Sequence, residues 1–258
     1  MRPIPVAAAQ AASRAGDIAA NCRTAAELVR DAARQGASLV VFPELFLCGY
    51  DLERIRSDPD GCDLRPEDSR LNTLRTQCRE SRAHVVVGAS IAEPGGRRLA
   101  ALIIDARGAI RGHYAKRHLW GPERELFAPG DQPSSIHLGG WRLELAICAE
   151  ASRPEHARAA ARHGAMAYLT LSADEEVDPL LHSTRARENG MYVVNSNHVG
   201  NGFCGRTAIY APTGACLAQL DGHERGLAIA QLDQTAIAPA RRSPVPGRVD
   251  IDLSEEGA

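Results

Sequence analysis

The stretch from Trp141 to Glu155 restricts the fold more than any other part of the chain. Apolar and polar residues alternate through Arg142, Leu143, Glu144 and Leu145, and Ala146 and Ile147 then make the run fully apolar. That pattern predicts a strand entering a buried sheet. Pro154 suits the first turn of a helix, Glu155 to Arg162 are good helix formers, and Gly164 is placed to end it. Cys148 falls between the two, where a sharp strand-to-helix turn would push a thiol out above the sheet edge. A nucleophile needs that exposure, but an unpaired Cys more often only fills a core. The stretch alone leaves both readings open.

Similar units recur along the chain. Ile4 to Gln10 reads as a strand, and Asp17 caps a helix carrying Ile18, Cys22, Ala25, Ala26, Val29 and Ala33 up to Gly36. Ser38 to Phe42, His84 to Ser90, Ala167 to Leu171 and Tyr192 to Asn197 are short buried strands. Residues 69–81 and 178–189 have helical patterns. An antiparallel run, Leu99 to Ile104 and Ile110 to Tyr114, interrupts the alternation, and strands Cys216 to Leu220 and Leu227 to Leu232 close it. The class is α/β. Charged residues with Pro59, Gly61 and Pro66 make Asp51 to Asp68 an expected surface excursion. Gly200 to Gly205 satisfies G-x-G-x-x-G, but no helix opens after it, so a dinucleotide fingerprint fails its context test. No linker or repeat divides the chain. One domain over 1–258 is expected, with 238–258 as a C-terminal arm.

A net charge of −2 gives no footprint for nucleic acid or an anionic membrane. No run is long and apolar enough to span a bilayer, and the N-terminus lacks a signal-peptide core. Seven cysteines without C-x-x-C spacing fit a reducing cytosol rather than disulfides or zinc, so a cytoplasmic protein is expected. Cys148, His156 and His163 match no usual metal-ligand spacing, and no metal or cofactor is called for. Among 30 basic residues, Lys116 is the single lysine. Its pKa can be tuned by surroundings, as that of arginine cannot.

Three chemically complementary groups thus follow strand ends: Glu44, Lys116 and Cys148. A thiolate is the reactive form of cysteine, and a neighbouring base and cation favour it. Phe42-Pro43-Glu44-Leu45, Tyr114-x-Lys116-x-His118-Leu119 and Ile147-Cys148-x-Glu150 resemble, in order and spacing, the three motifs of the nitrilase-like carbon–nitrogen hydrolases. The similarity extends to Gly36-Ala37, Phe127-x-Pro129-Gly130, Arg185-Ala186-x-Glu188-Asn189, and Gly205 through Pro212-Thr213-Gly214. It covers nearly the whole chain.

The resemblance implies a four-layer α-β-β-α sandwich, commonly paired into homodimers or higher homo-oligomers through the helices beside the Cys turn. It implies Glu44 as general base, Lys116 as the cation facing a developing oxyanion, and Cys148 as acyl-accepting nucleophile. Glu123 would be a second acid, in preference to Glu125. The backbone N–H of Ala149 would complete the oxyanion hole. Substrate contacts are expected from the loops 51–68, 121–130 and 197–205, the last beginning at Asn197. The partner is then a small-molecule amide, hydrolysed through a thioester. Nitrile hydrolysis, N-carbamoyl amide hydrolysis and acyl transfer to an amine are alternatives on the same triad, and a non-catalytic binding protein is a further one. Two departures affect the pocket: Ala149 stands where the family carries an aromatic residue, and Ser152 where many members carry Arg or Glu.

Overall fold

The computed structural model describes residues 2–65, 67–133, 135–176, 178–243 and 245. The strands are β1 (Ile4–Gln10), β2 (Leu39–Val41), β3 (Asp63–Leu64), β4 (His84–Glu93), β5 (Gly96–Ile104), β6 (Ile110–Ala115), β7 (Ser135–Leu138), β8 (Trp141–Ile147), β9 (Ala167–Ser172), β10 (Tyr192–Asn197), β11 (Val199–Gly200), β12 (Phe203–Cys204), β13 (Ala208–Tyr210), β14 (Cys216–Gln219) and β15 (Gly226–Leu232). The helices are α1 (Ile18–Arg34), α2 (Leu52–Ser57), α3 (Pro59–Cys62), α4 (Asn72–Ser81), α5 (Pro154–Arg162), α6 (Leu181–Asn189) and α7 (Ile237–Arg242). Among the described residues no helix is long and apolar enough to cross a membrane.

Two sheets stack face to face. The first runs β15-β1-β2-β4-β5-β6, with β3 against β4, and the second runs β14-β13-β10-β9-β8-β7. Their centres, β1-β2-β4 and β8-β9-β10, are parallel and their flanks antiparallel. α1 and α4 pack together beside the first sheet, and α5 and α6 beside the second. This is the expected four-layer sandwich.

Side-chain alternation divides the core between the layers. Leu143, Leu145 and Ile147 of β8, with Leu169 and Leu171 of β9, join the large cluster between the sheets. Ala146, Tyr168 and Val193 point the other way, onto Ala157, Ala160 and Ala161 of α5. Those alanines have little side chain to hold the helix off the sheet. Polar bonds also join the layers: Ser196 donates to the Ala9 carbonyl at 2.6 Å, and the Thr207 N–H donates to the Gln10 side chain at 3.0 Å.

Two expectations change. Residues 51–68 do not simply cross the surface, because Ile55, Cys62 and Leu64 enter the core. Asp63 is buried there and accepts from Ser90 Oγ at 2.5 Å and Arg97 Nε at 2.8 Å. The arm expected from residue 238 begins inside helix α7, where Ile237 and Ala240 are buried. Its continuation, residues 244 and 246–258, lies outside the described residues. The glycine-rich loop forms the β11–β12 hairpin, with no helix following.

Gly88 shows how the sheet admits the site. A Cβ there would overlap backbone atoms of Pro43, Glu44 and Leu45, so only glycine lets the Glu44 turn cross β4 this closely. Overpacking of this kind typically costs about 1–3 kcal/mol. Gly88→Ala is therefore expected to lower the thermal midpoint in calorimetry and to displace Glu44.

Candidate active site

Glu44, Lys116 and Cys148 each follow the last residues of a strand: β2, β6 and β8. Ligand sites of open parallel sheets form beyond the carboxyl ends of strands, and here two such ends face each other. The Glu44 N–H donates to the carbonyl of Ser172, the last residue of β9, at 3.3 Å. The turn after β2 is thereby tied to the opposite sheet.

Lys116 is fully buried. Its Nζ donates to Glu44 Oε1 at 2.7 Å and to Glu123 Oε1 at 2.9 Å. Glu123 is locked further by Tyr50 Oη, which donates to Oε1 at 2.8 Å, and by the Trp120 N–H, which donates to Oε2 at 2.8 Å. Glu125 points to solvent and pairs with Arg56 at 2.8 Å. The structure thus brings Glu123, and not Glu125, to the lysine.

Glu44 differs from Glu123 in one respect. Its Oε2 is buried without a hydrogen-bond partner among the described residues. Burial raises its carboxyl pKa to about 8 even though the Lys116 charge opposes the shift. The two acids beside it hold Lys116 firmly protonated against the desolvation that would discharge it. A carboxyl with one free oxygen and a pKa near neutrality is suited to moving protons.

Cys148 sits at φ +47°, a left-handed conformation that a residue with a Cβ adopts only at some cost. Residues 148–150 form a single 3-10 turn there, and Ala151 N–H donates back to the Cys148 carbonyl at 2.9 Å. The thiol reaches a cavity of about 560 Å³, lined also by Glu123, Ala149, Tyr50, Trp120 and Ala173. Burial and the charges of Glu44 and Asp174 push its pKa well up, while Lys116 opposes them. The resting group is the thiol, and a proton acceptor is needed to make it reactive.

Glu150 holds the turn in place. Its Oε1 accepts from the Arg117 and His118 N–H groups at 2.9 and 3.2 Å, and its Oε2 accepts from Ile147 N–H at 2.9 Å. Tyr114 Oη lies 2.8 Å from Oε1. One buried carboxylate thus joins the Cys148 turn to the strand end that carries Lys116. His118, Glu150 and His156 bring possible ligand atoms within 4.8 Å of one another. Glu150 is engaged by backbone N–H groups and Tyr114, and His156 Nδ1 bonds Tyr168 Oη at 2.7 Å, while His118 Nδ1 has no hydrogen-bond partner among the described residues.

Asn197 is a correction. It is buried, and its side chain accepts from the Asp174 N–H at 2.9 Å and donates to the Asp174 and Gly205 carbonyls at 3.1 and 2.9 Å. With its polar atoms engaged this way, it clamps the loop after β9 and does not line the cavity. Each loop expected at the pocket does contribute, through Leu52, Glu123, and Asn201 with Phe203. The sequence reading missed Ala173 to Glu176 and His182, which line the same cavity.

A family model described as carbon–nitrogen hydrolase matches residues 5–242. The chain belongs to the carbon–nitrogen hydrolase family. Among its relatives is a nitrilase of Pyrococcus abyssi, 32% identical over 225 residues that cover 83% of each chain. An (R)-stereoselective amidase of a Pseudomonas species is 29% identical over 90% of this chain and 86% of its own. The crystal structure of an amidase from Nesterenkonia sp. superposes with a TM-score of 0.81 at 30% identity, covering 91% of this chain and 92% of that one. In a structure of a mutant of the Nesterenkonia amidase, acrylamide has undergone Michael addition at the active-site cysteine (TM-score 0.81, 30% identity, 89% and 93% coverage). This carbon–nitrogen hydrolase is therefore an amidase-like enzyme acting on carbon–nitrogen bonds other than peptide bonds.

Replacing Glu150 by Gln would turn an NH₂ group toward N–H donors and leave at least one of them without an acceptor. A buried unsatisfied donor costs about 1–3 kcal/mol. Denaturant unfolding of Glu150→Gln is expected to show a loss of that size, and labelling of Cys148 should lose its uniform rate as the turn loosens.

Proposed function

We propose that the enzyme hydrolyses a small carboxamide through a thioester on Cys148. The observation that carries this reading is the hydrogen-bonded chain Glu44–Lys116–Glu123 behind a cavity lined by Cys148. The Michael adduct in the Nesterenkonia amidase supports the nucleophilic part of this reading, since there the active-site cysteine attacks an electrophilic carbon.

Glu44 Oε2, the free oxygen, accepts the thiol proton as Sγ attacks the carbonyl carbon. The carbonyl π pair moves onto oxygen. An ammonium has three donors; two of those on Lys116 are held by Glu44 and Glu123, which leaves the third for the oxyanion. The backbone N–H of Ala149 is the second donor. Contacts of this kind contribute about 3–4 kcal/mol each in the transition state. Collapse of the tetrahedral adduct breaks the C–N bond, and the leaving nitrogen takes the proton from Glu44 and departs as ammonia or an amine. Water then gives a proton to Glu44 while its oxygen attacks the thioester. The acid is released, and the proton returns to sulfur.

Ammonia release from a panel of short amides, N-carbamoyl compounds and nitriles tests the substrate class, with amides expected to be fastest. Cys148→Ala and Glu44→Gln are each expected to lower kcat by at least a thousandfold. Whole-protein mass spectrometry of wild type quenched during turnover is expected to show an added acyl mass on the Cys148 peptide. A wild-type rate retained by Cys148→Ala would overturn the reading.

Because Glu44 must be unprotonated to act, and burial raises its pKa to about 8, kcat/KM is expected to rise with pH toward a plateau above that value. Below it the rate should fall roughly tenfold per pH unit. A pH profile flat from 5 to 9 would exclude Glu44 as the base.

A further inference from the structure

Asp174 lies on the cavity wall beside Cys148, whose Sγ donates a hydrogen bond to its Oδ1 at 3.5 Å. Its backbone is held from both sides. Asn197 bonds its N–H and carbonyl, and Cys204 donates to the same carbonyl from N at 3.1 Å and from Sγ at 3.2 Å. The proposed mechanism gives this carboxyl no task. Removal from water disfavours its charged form, and a cation arriving in the cavity would offset that loss.

The rest of the wall has the same character. Glu175 and Glu176 follow Asp174 around the opening, and the lining includes neither Arg nor Lys among the described residues. Tyr50, Trp120 and Phe203 present aromatic surfaces to the same space, and such faces attract cations.

His182 supplies the independent observation. It lines the cavity at 3% exposure, yet neither ring nitrogen has a hydrogen-bond partner among the described residues. Its ring stacks on Tyr210, with centroids 6.5 Å apart. Burial lowers its pKa to about 4, so at neutral pH the ring is uncharged and offers a lone pair. A buried polar group is ordinarily paired; this one lies unpartnered in the cavity wall.

We propose that Asp174, with Glu175, Glu176 and His182, forms an ammonium-recognition subsite, and that the substrate is a short carboxamide bearing a protonated amine one or two carbons from its carbonyl. Once the carbonyl carbon is bonded to Sγ, an amine on the first or second carbon beyond it comes within hydrogen-bond reach of an oxygen 3.5 Å from that sulfur. An anionic amide would meet three carboxylates instead. This inference rests on the amidase reading above and adds its specificity.

The test compares ammonia release at pH 7 from three sets of matched length. These are glycinamide and β-alaninamide, neutral propionamide and butyramide, and anionic malonamate and succinamate. Charge-assisted hydrogen bonds support a preference of roughly ten- to a hundredfold. The amino amides are thus expected to exceed their neutral counterparts in kcat/KM by at least about tenfold, with the anionic amides slowest. Asp174→Asn is expected to bring the amino-to-neutral ratio within about threefold of unity, mainly by raising KM for the amino amides. A doubly neutralised Glu175→Gln/Glu176→Gln variant should lower the ratio less. Equal wild-type efficiency on amino and neutral amides would overturn the subsite and leave the amidase reading standing, as would an Asp174→Asn loss that is proportionate for both. Ammonia from none of the three sets would overturn both.

Discussion

A buried ammonium between two carboxylates is the interaction on which the rest of the site depends. Lys116 could not keep its proton in a dry interior alone, and neither Glu44 nor Glu123 would sit there unpaired without a large penalty. The three groups come from different parts of the chain and hold one another's charge state. Tyr50 and the Trp120 N–H saturate Glu123, so the second acid is fixed and Glu44 alone keeps an oxygen free. Identical side chains thereby take different roles through their hydrogen-bond partners.

The frame around this triad explains how such separated residues meet. β2 and β8 belong to opposite sheets, and their carboxyl ends face each other across the sandwich. The missing side chain at Gly88 lets the Glu44 turn lie against β4, and Glu150 ties the Cys148 turn to the end of β6. Both are close fits of backbone to backbone or of backbone to one carboxylate. Small errors of sheet spacing would be felt directly at the reacting atoms.

Much of this was legible in the sequence for a physical reason. Period-two alternation in Trp141 to Ile147 and continuous apolar runs such as Val85 to Val87 record burial, and burial is what makes strands. Pro43, Pro154 and the glycines punctuate the chain where elements end. Other features leave no local trace. Asn197 at a strand end looks the same whether it touches a ligand or clamps a loop, and only its partners at Asp174 and Gly205 decide. The run Ser172-Ala173-Asp174-Glu175-Glu176 reads as an ordinary polar loop until β8 is seen to bring Cys148 beside it. In 51–68 the charges dominated the reading, although Ile55 and Cys62 are the residues that anchor it. Glu150 is similar, since its donors come from residues more than thirty positions earlier as well as from Ile147.

The free oxygen of Glu44 has a consequence for endurance. Folding lifts this carboxyl from the ordinary carboxylate range to about 8, so between those values the native state holds a proton that the unfolded chain has released. That linkage favours the native state at the acid end of the window and fades as alkalinity increases through the folded value. The deprotonation that the proposed mechanism asks of Glu44 is the one that removes its contribution to the fold. Long-lived preparations are then best kept at a more acidic pH than the one at which they turn over fastest.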